Sequence, residues 1–299
     1  MAFAPMEGIL LVNKPRGPTS HDIVRHIRKH IGHKKVGHTG TLDPAASGLL
    51  ILCIGRMTRT ARFFTNLEKE YSGTILFGRQ TDTLDLEGKT IRRTVIPKSI
   101  VSDAAIWARS RVGKMTQRAP RYSARKWKGK ALHRYAREGK VTPDSEKIVE
   151  IFDVEIHPGR TWRRSDFRIV VSSGFFVRSW VRDLGDGVEV ATTLGFLRRD
   201  RVGPFHLEDA VSPEGVTPDT VADRLISGEE ALPWIPTLDL QIDDTRRLQQ
   251  GGTVSLPEQT EYRSGDTVKI VDNGHVLLLA HIKNRIIQPW IVLRPWESN

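Results

Sequence analysis

The chain has 299 residues, of which 38% are apolar and 27% charged, and a formal net charge of +11. That length supports a substantial core and two domains, while its longest apolar run, Gly48 to Ile54, is too short to span a bilayer. The opening MAFAPMEGILLVNKP lacks the basic n-region of a signal peptide, and the lone Cys53 excludes an intramolecular disulfide and suits a buried reduced thiol, so a cytoplasmic protein is expected.

In chain order, Gly8–Asn13 (GILLVN) reads as a short buried strand closed by Lys14-Pro15 and Gly17-Pro18. Thr19-Ser20 supplies an N-cap for a helix through HDIVRHIRKHI, with Ile23, Val24, Ile27 and Ile31 at helical spacing and basic residues on the other face. The stretch Val36–Gly48 (VGHTGTLDPAASG) reads as a loop with a single acid, Asp43, between Gly40 and Gly48. Asp-Pro commonly opens a helical turn, the carboxylate accepting orphan N–H groups, so capping is the plain reading of Asp43. Glycine on both sides also lets a ligand approach the backbone closely, which would suit a nucleophile or an electrostatic anchor. Such a carboxylate needs a cation to hold it, and FFVRSWVRD offers Arg178 and Arg182.

A strand is expected over Gly48–Gly55, another over Lys69–Gly78, a turn-rich loop over Thr81–Gly88 and a helix over Ala104–Gly113. Lys114–Lys140 mixes loop and helix. Arg168–Val188 reads as a strand, a turn at Gly174 and a helix from about Phe176. Mixed, Pro-containing sequence between Val211 and Pro236 reads as a linker. Beyond it TVKIV and HVLLLAHI, joined by Asp272-Asn273-Gly274, predict a hairpin in a small β domain.

The positive charge is concentrated. Between Arg109 and Lys140 stand twelve Lys or Arg residues and one acid, Glu138, whereas Pro233–Asn299 carries seven basic and eight acidic residues. The basic stretch interleaves Tyr122, Trp127, His133 and Tyr135 with its cations. A solvated basic helix is the bland account of such a run. Without acids, however, its self-repulsion needs a polyanion to offset it, and planar rings stack on unpaired bases, so the stretch reads as a nucleic-acid grip. No phosphate loop, dinucleotide fingerprint, zinc spacing, calcium ladder or hydrolase-type Ser/His or paired-carboxylate motif is present. What remains is chemistry without metal or cofactor, or RNA binding without chemistry.

Six ordered motifs then carry a resemblance. GHTGTLDPAASGLLILCIGRMTR is similar to the catalytic motif of the bacterial tRNA pseudouridine synthase B family, GILLVNKPRGPTSHDIV to its opening Lys-Pro motif and KEYSG to its K-x-Y motif. GRQTDTLDLEG resembles the family's Thr-Asp-Thr loop, RYSARKWKGKALHRYAREG its RNA-gripping loop, and SSGFFVRSWVRDLG with LGFLRRDRVGPF completes the order over about Glu7 to Phe205. The resemblance implies an α+β protein with the pseudouridine synthase fold: a large, mainly antiparallel sheet with flanking helices over residues 1–232, and a small C-terminal β RNA-docking domain (PUA-like) over 233–299. It implies isomerisation of uridine to pseudouridine at position 55 in the T loop of tRNA, with the nucleotide flipped out of its stack, no cofactor and no metal.

Carried over by position, the resemblance makes Asp43 the nucleophile and Arg178 its partner, places Tyr71 and Phe176 against the base, and makes Leu197 part of the apolar wall. His38 would contact the flipped nucleotides, Asp85 would join the polar network, and Lys14 and Pro15 would support the loop. Arg121, Arg125, Lys126, Lys128, Lys130 and Arg134 would bind RNA. Two departures stand out: Phe176 replaces the family's Tyr, and Ala119-Pro120 replaces its Pro-Pro. The expected partner is the tRNA T-stem loop, with no membrane, no obligatory protein partner and a monomeric enzyme. A guide-RNA-dependent relative is the near alternative, disfavoured by the short, non-basic C-terminal region. A non-catalytic RNA-binding or RNA-folding module is the alternative from another class.

Overall fold

The computed structural model describes residues 6–120, 126–127, 130–131 and 146–294. Its strands are β1 (Gly8–Lys14), β2 (Val36–His38), β3 (Ser47–Ile54), β4 (Lys69–Phe77), β5 (Arg79–Thr81), β6 (Thr90–Arg93), β7 (Gly113–Arg118), β8 (Lys126–Trp127), β9 (Lys130–Ala131), β10 (Glu146–Pro158), β11 (Arg164–Val171), β12 (Thr192–Val202) and β13 (Phe205–His206), followed by β14 (Val254–Ser255), β15 (Thr267–Asp272), β16 (His275–Lys283) and β17 (Ile286–Val292). The large sheet runs β1-β3-β12-β4-β11-β10-β7, with β2 added to β3 and β13 to β12. Its pairs are antiparallel except β3 with β12, which meet in parallel at Ser47–Gly48 and Arg198–Arg199. The mixed α+β, mainly antiparallel architecture matches the sequence expectation.

β3 is a continuous apolar run because both of its faces are covered. Leu50, Leu52 and Ile54 join Leu10 and Val12 beneath the helix Ser20–Ile31, which buries Ile23, Val24, Ile27 and Ile31. Leu49, Ile51 and Cys53 join Ile9 and Leu11 on the other face, with Met57, Phe64, Leu232, Ile235, Val276, Leu279 and Ile291. Helices Ile100–Arg109 and Val177–Gly187 cover the far half of the sheet around Trp180, Phe167 and Ile151. A four-stranded antiparallel sheet, β14-β17-β16-β15, closes over its own cluster, including Leu248, Val268, Leu278 and Ile287.

Several local expectations need correction. Val36–His38 is not loop but a short strand on the edge of β3. The helix expected over Ala104–Gly113 is Ile100–Arg109, one turn earlier, and Gly113 at φ +109° starts β7 instead. The presumed linker is docked: Val211 exchanges backbone hydrogen bonds with the Leu11–Asn13 stretch, Ile226 pairs with Ile9, and Thr217 caps a short helix over Pro218–Arg224. No helix among the described residues is long and apolar enough to cross a membrane.

Candidate active site

Asp43 does not cap a helix. Pro44 and Ala45 form a turn, closed by the Ala46 N–H donating to the Asp43 carbonyl at 3.0 Å, and the chain then enters β3. The carboxylate instead meets Arg178, Oδ2 to Nη2 at 2.6 Å, with the guanidinium only 8% exposed and the carboxylate 41% exposed. Of the two candidate cations, then, Arg178 is the partner. Arg182, one helical turn on, bonds Asp183 at 2.6 Å.

Arg178 is held from a second side. Its Nη1 donates to the Thr83 carbonyl at 3.1 Å and lies 3.5 Å from Asp85 Oδ2. Asp85 is fixed in turn by the Thr83 hydroxyl at 2.6 Å and the Glu87 N–H at 3.1 Å. The Thr-Asp-Thr loop thus orients the arginine, and the arginine offers its remaining edge to Asp43. Such charge-assisted bonds with shared, fixed partners pre-set the carboxylate's position.

The loop bearing Asp43 is pinned at almost every residue. Thr39 N–H donates to Ile51 O at 3.1 Å, and the Thr65 hydroxyl to Thr39 O at 2.6 Å. Arg199 donates to Gly40 O at 3.2 Å and to Leu49 O at 2.8 Å. Ser20, the first residue of its helix, accepts from Leu42 N–H at 2.8 Å and donates back to Leu42 O at 3.1 Å. Gly17 N–H reaches Pro44 O at 2.8 Å. At Gly48, φ is +107° and a Cβ would overlap the Arg199 backbone, so the parallel strand pair behind the loop demands glycine there.

Three buried cations lie behind this loop. Lys14, fully buried, donates to the carbonyls of Pro15 and Pro18 at 2.8 and 2.9 Å. Burial brings its pKa down to about 8 against the raising effect of Asp43, with Arg199 adding to the fall. Lys69 donates to Thr65 O and Leu67 O, both at 2.5 Å, and burial, then the charges of Arg199 and Lys147, lower it to about 7. Arg199 itself is 3% exposed.

Two cavities meet at the ion pair. The smaller is lined by Asp43, Ala45, Ala46, Asp85, Leu86, Arg178, Leu194, Phe196 and Leu197, with Arg16 also on its wall. The larger, of about 450 Å³, is lined by Asp43, Lys69, Tyr71, Phe175, Phe176, Arg178, Leu197 and Arg199. Asp43, Tyr71, Phe176, Arg178, Leu197 and Asp85 are therefore brought together around one carboxylate. His38 is not: it lines neither cavity. Its Nδ1 is buried without a partner, and burial, with Arg199 and His21, lowers its pKa. Arg121, Arg125, Lys128 and Arg134 lie outside the described residues; Lys126 and Lys130 fall in the small ladder of β8 with β9. Among the described residues no group of three or more His, Cys, Asp or Glu could hold a metal ion.

Sequence reasoning missed Ser20, Arg199 and Gln117 as parts of the site. Ser20 was legible only as a capping residue, and Arg199 was one of four charges in RRDR. Gln117, 2% exposed, bonds both backbone groups of Phe176.

Comparison with known proteins fits this geometry. Residues 28–177 match the model of the TruB family pseudouridylate synthase N-terminal domain. The tRNA pseudouridine synthase B of Thermotoga maritima is 35% identical over 282 residues, 91% of this chain and 89% of that one. The chain belongs to the TruB family of pseudouridylate synthases. The Lactobacillus gasseri tRNA pseudouridine synthase B is 34% identical and covers 96% of this chain and 98% of its own. Among solved structures, the Cbf5 chain of a Cbf5-Nop10-Gar1 complex superposes with a TM-score of 0.72 at 21% identity, over 97% of this chain and 86% of that one, and so shares the TruB fold.

Proposed function

We propose that this TruB-family chain isomerises uridine to pseudouridine in tRNA, at position 55 of the T loop, with Asp43 as nucleophile and no cofactor. The observation that carries the reading is the Asp43–Arg178 pair at 2.6 Å on the shared wall of two mainly apolar cavities. The reaction breaks the N1–C1′ bond and forms a C5–C1′ bond. Nothing is oxidised and no group leaves, so the chemistry needs a held carboxylate, a cation, and an enclosure in which the detached base can turn.

The smaller cavity supplies apolar wall for that enclosure, with Leu194, Phe196 and Leu197, while Tyr71 and Phe176 line the larger one. The nucleotide must leave its stack to enter, at a cost of a few kcal/mol, and the basic segment 109–140 offsets that cost by gripping phosphates. Residues 1–232 form the catalytic domain in this reading and 233–299 the RNA-docking domain, acting on tRNA in the cytoplasm as a monomer.

The test uses tRNA transcripts carrying 5-tritiated uridine, since the C5 proton leaves only when C5 becomes the glycosidic carbon. Wild type is expected to release about one equivalent of tritium per tRNA. Asp43→Asn should stay folded and release at least about a thousandfold more slowly. Near-wild-type release by the variant would refute the nucleophile, and tight tRNA binding without any release by wild type would refute the reaction.

A further inference from the structure

Strand β7 lies within the basic segment and ends one residue after Gln117. Gln117 is nearly fully buried, and among the described residues its amide bonds only to backbone. Its Oε1 accepts the Phe176 N–H at 2.7 Å and its Nε2 donates to the Phe176 carbonyl at 3.1 Å. The next residues repeat the contact in reverse, the Ser179 hydroxyl donating to the Arg118 carbonyl at 2.7 Å. Phe176 is the N-cap of the helix Val177–Gly187 and has no side-chain cap of its own; its carbonyl also accepts the helix's first bond, from Trp180 N–H at 3.1 Å. Arg178 is two residues on.

We infer that Gln117 is a positioning residue for the Arg178–Asp43 pair. A primary amide carries one acceptor and a donor pair side by side, which matches the N–H and C=O that one residue presents along an extended backbone. The amide orientation is set by this pairing, because a flipped amide would oppose N–H to N–H and C=O to C=O. The double bond fixes the height and rotation of the helix start on β7, and with it the direction from which the Arg178 guanidinium reaches Asp43. Thr83 and Asp85 hold the outer end of the arginine; Gln117 holds its root. A side chain anchored at both ends keeps a 2.6 Å contact that either anchor alone would let drift, and misplacement of a reacting group by about 1 Å costs on the order of a hundredfold in rate.

The inference rests on the proposed isomerisation, and the test separates the two. Single-turnover tritium release at saturating tRNA, tRNA binding by filter retention and thermal melting are measured on wild type, Gln117→Met and Gln117→Glu. Met keeps length and removes both bonds. Glu keeps the acceptor for Phe176 N–H and loses the donor. The Met variant is expected to lose about tenfold or more in single-turnover rate while tRNA affinity stays within about twofold, and the Glu variant to lie between it and wild type. A Met variant within about twofold of the wild-type rate, or a rate loss that excess tRNA fully restores, would overturn the inference. If the Met variant does not fold, the Glu variant decides on the same split: unchanged rate overturns, reduced rate with unchanged affinity supports. Wild type that releases no tritium at all would instead sink the assigned reaction.

Discussion

Two sets of buried cations surround the loop that bears Asp43, and they are held in opposite ways. Arg178 is bound by carboxylates, Asp43 and Asp85, and lines both cavities. Lys14, Lys69 and Arg199 donate to main-chain carbonyls of Pro15, Pro18, Thr65, Leu67, Leu49 and Gly40. A carboxylate partner leaves the pair with little net charge and one strongly oriented oxygen, which suits chemistry. Carbonyl partners leave the cation's charge uncancelled but tie separate turns of the chain to one point, which suits architecture. In the proposed reaction the first kind of cation serves the reacting carboxylate, and the second the loop that carries it.

The largest effect that would break this contrast comes from Arg178. Arg178→Leu is expected to lower the single-turnover rate by about 10²–10³, the usual consequence of removing one preorganised charge partner. A variant that loses only stability would place Arg178 with the architectural set. Arg199→Met should do the reverse, destabilising the fold by about 2–4 kcal/mol in urea titration, because the carbonyls of Gly40 and Leu49 lose their donor. Unchanged stability with lost activity would erase the distinction from the other side.

A third measurement sharpens it through pH. Lys69 falls from an ordinary 10.5 to about 7 in the folded protein, so between those values the unfolded chain binds a proton that the folded chain has released. Stability therefore rises with pH across that window, and below about pH 7 both states are protonated and the slope vanishes. Lys69→Met should flatten the rise by up to about 1.4 kcal/mol per pH unit, read as urea midpoints at pH 8 and 9. Lys14 adds a similar slope from about 8 upwards. The smallest effect is at Phe176. Phe176→Tyr restores a phenol without altering the ring face that lines the cavity, and turnover should change by less than about threefold; a larger gain would assign the hydroxyl a part in the chemistry.

Much of the architecture was legible where pattern and burial agree. The continuous apolar run of β3 and the helical spacing of Ile23, Val24, Ile27 and Ile31 announced themselves. β10 and β12 did not. In β10 the alternation of Val149 and Ile151 with Val154 and Ile156 slips at a register shift between Ile151 and Asp153, which breaks the period of two. In β12 the charged run Arg198–Arg201 hides a central strand whose arginines find partners only in the folded sheet: Arg199 on carbonyls, Arg201 on Glu68 at 2.7 Å. The site shows the same divide. Asp43, Tyr71 and Arg178 stood in recognisable motifs; residue chemistry left Arg178 and Arg182 both open, the resemblance pointed to Arg178, and the fold brings Arg178 to Asp43. Ser20 and Gln117 act through backbone groups, and a sequence records no partner for a main-chain carbonyl.

The apolar cluster on the outer face of β1 and β3 has a consequence for how the protein is made. It is assembled from Ile9 and Leu11 near one end of the chain and from Val276, Leu279, Ile291 and Leu293 near the other. During translation, at about 5–20 residues per second, the first strand therefore waits on the order of tens of seconds for the segments that complete its covering. Until then that face of the strand that leads from Asp43 lacks part of its apolar cover. The cover of that face is therefore complete only once the chain up to Leu293 has emerged and folded back.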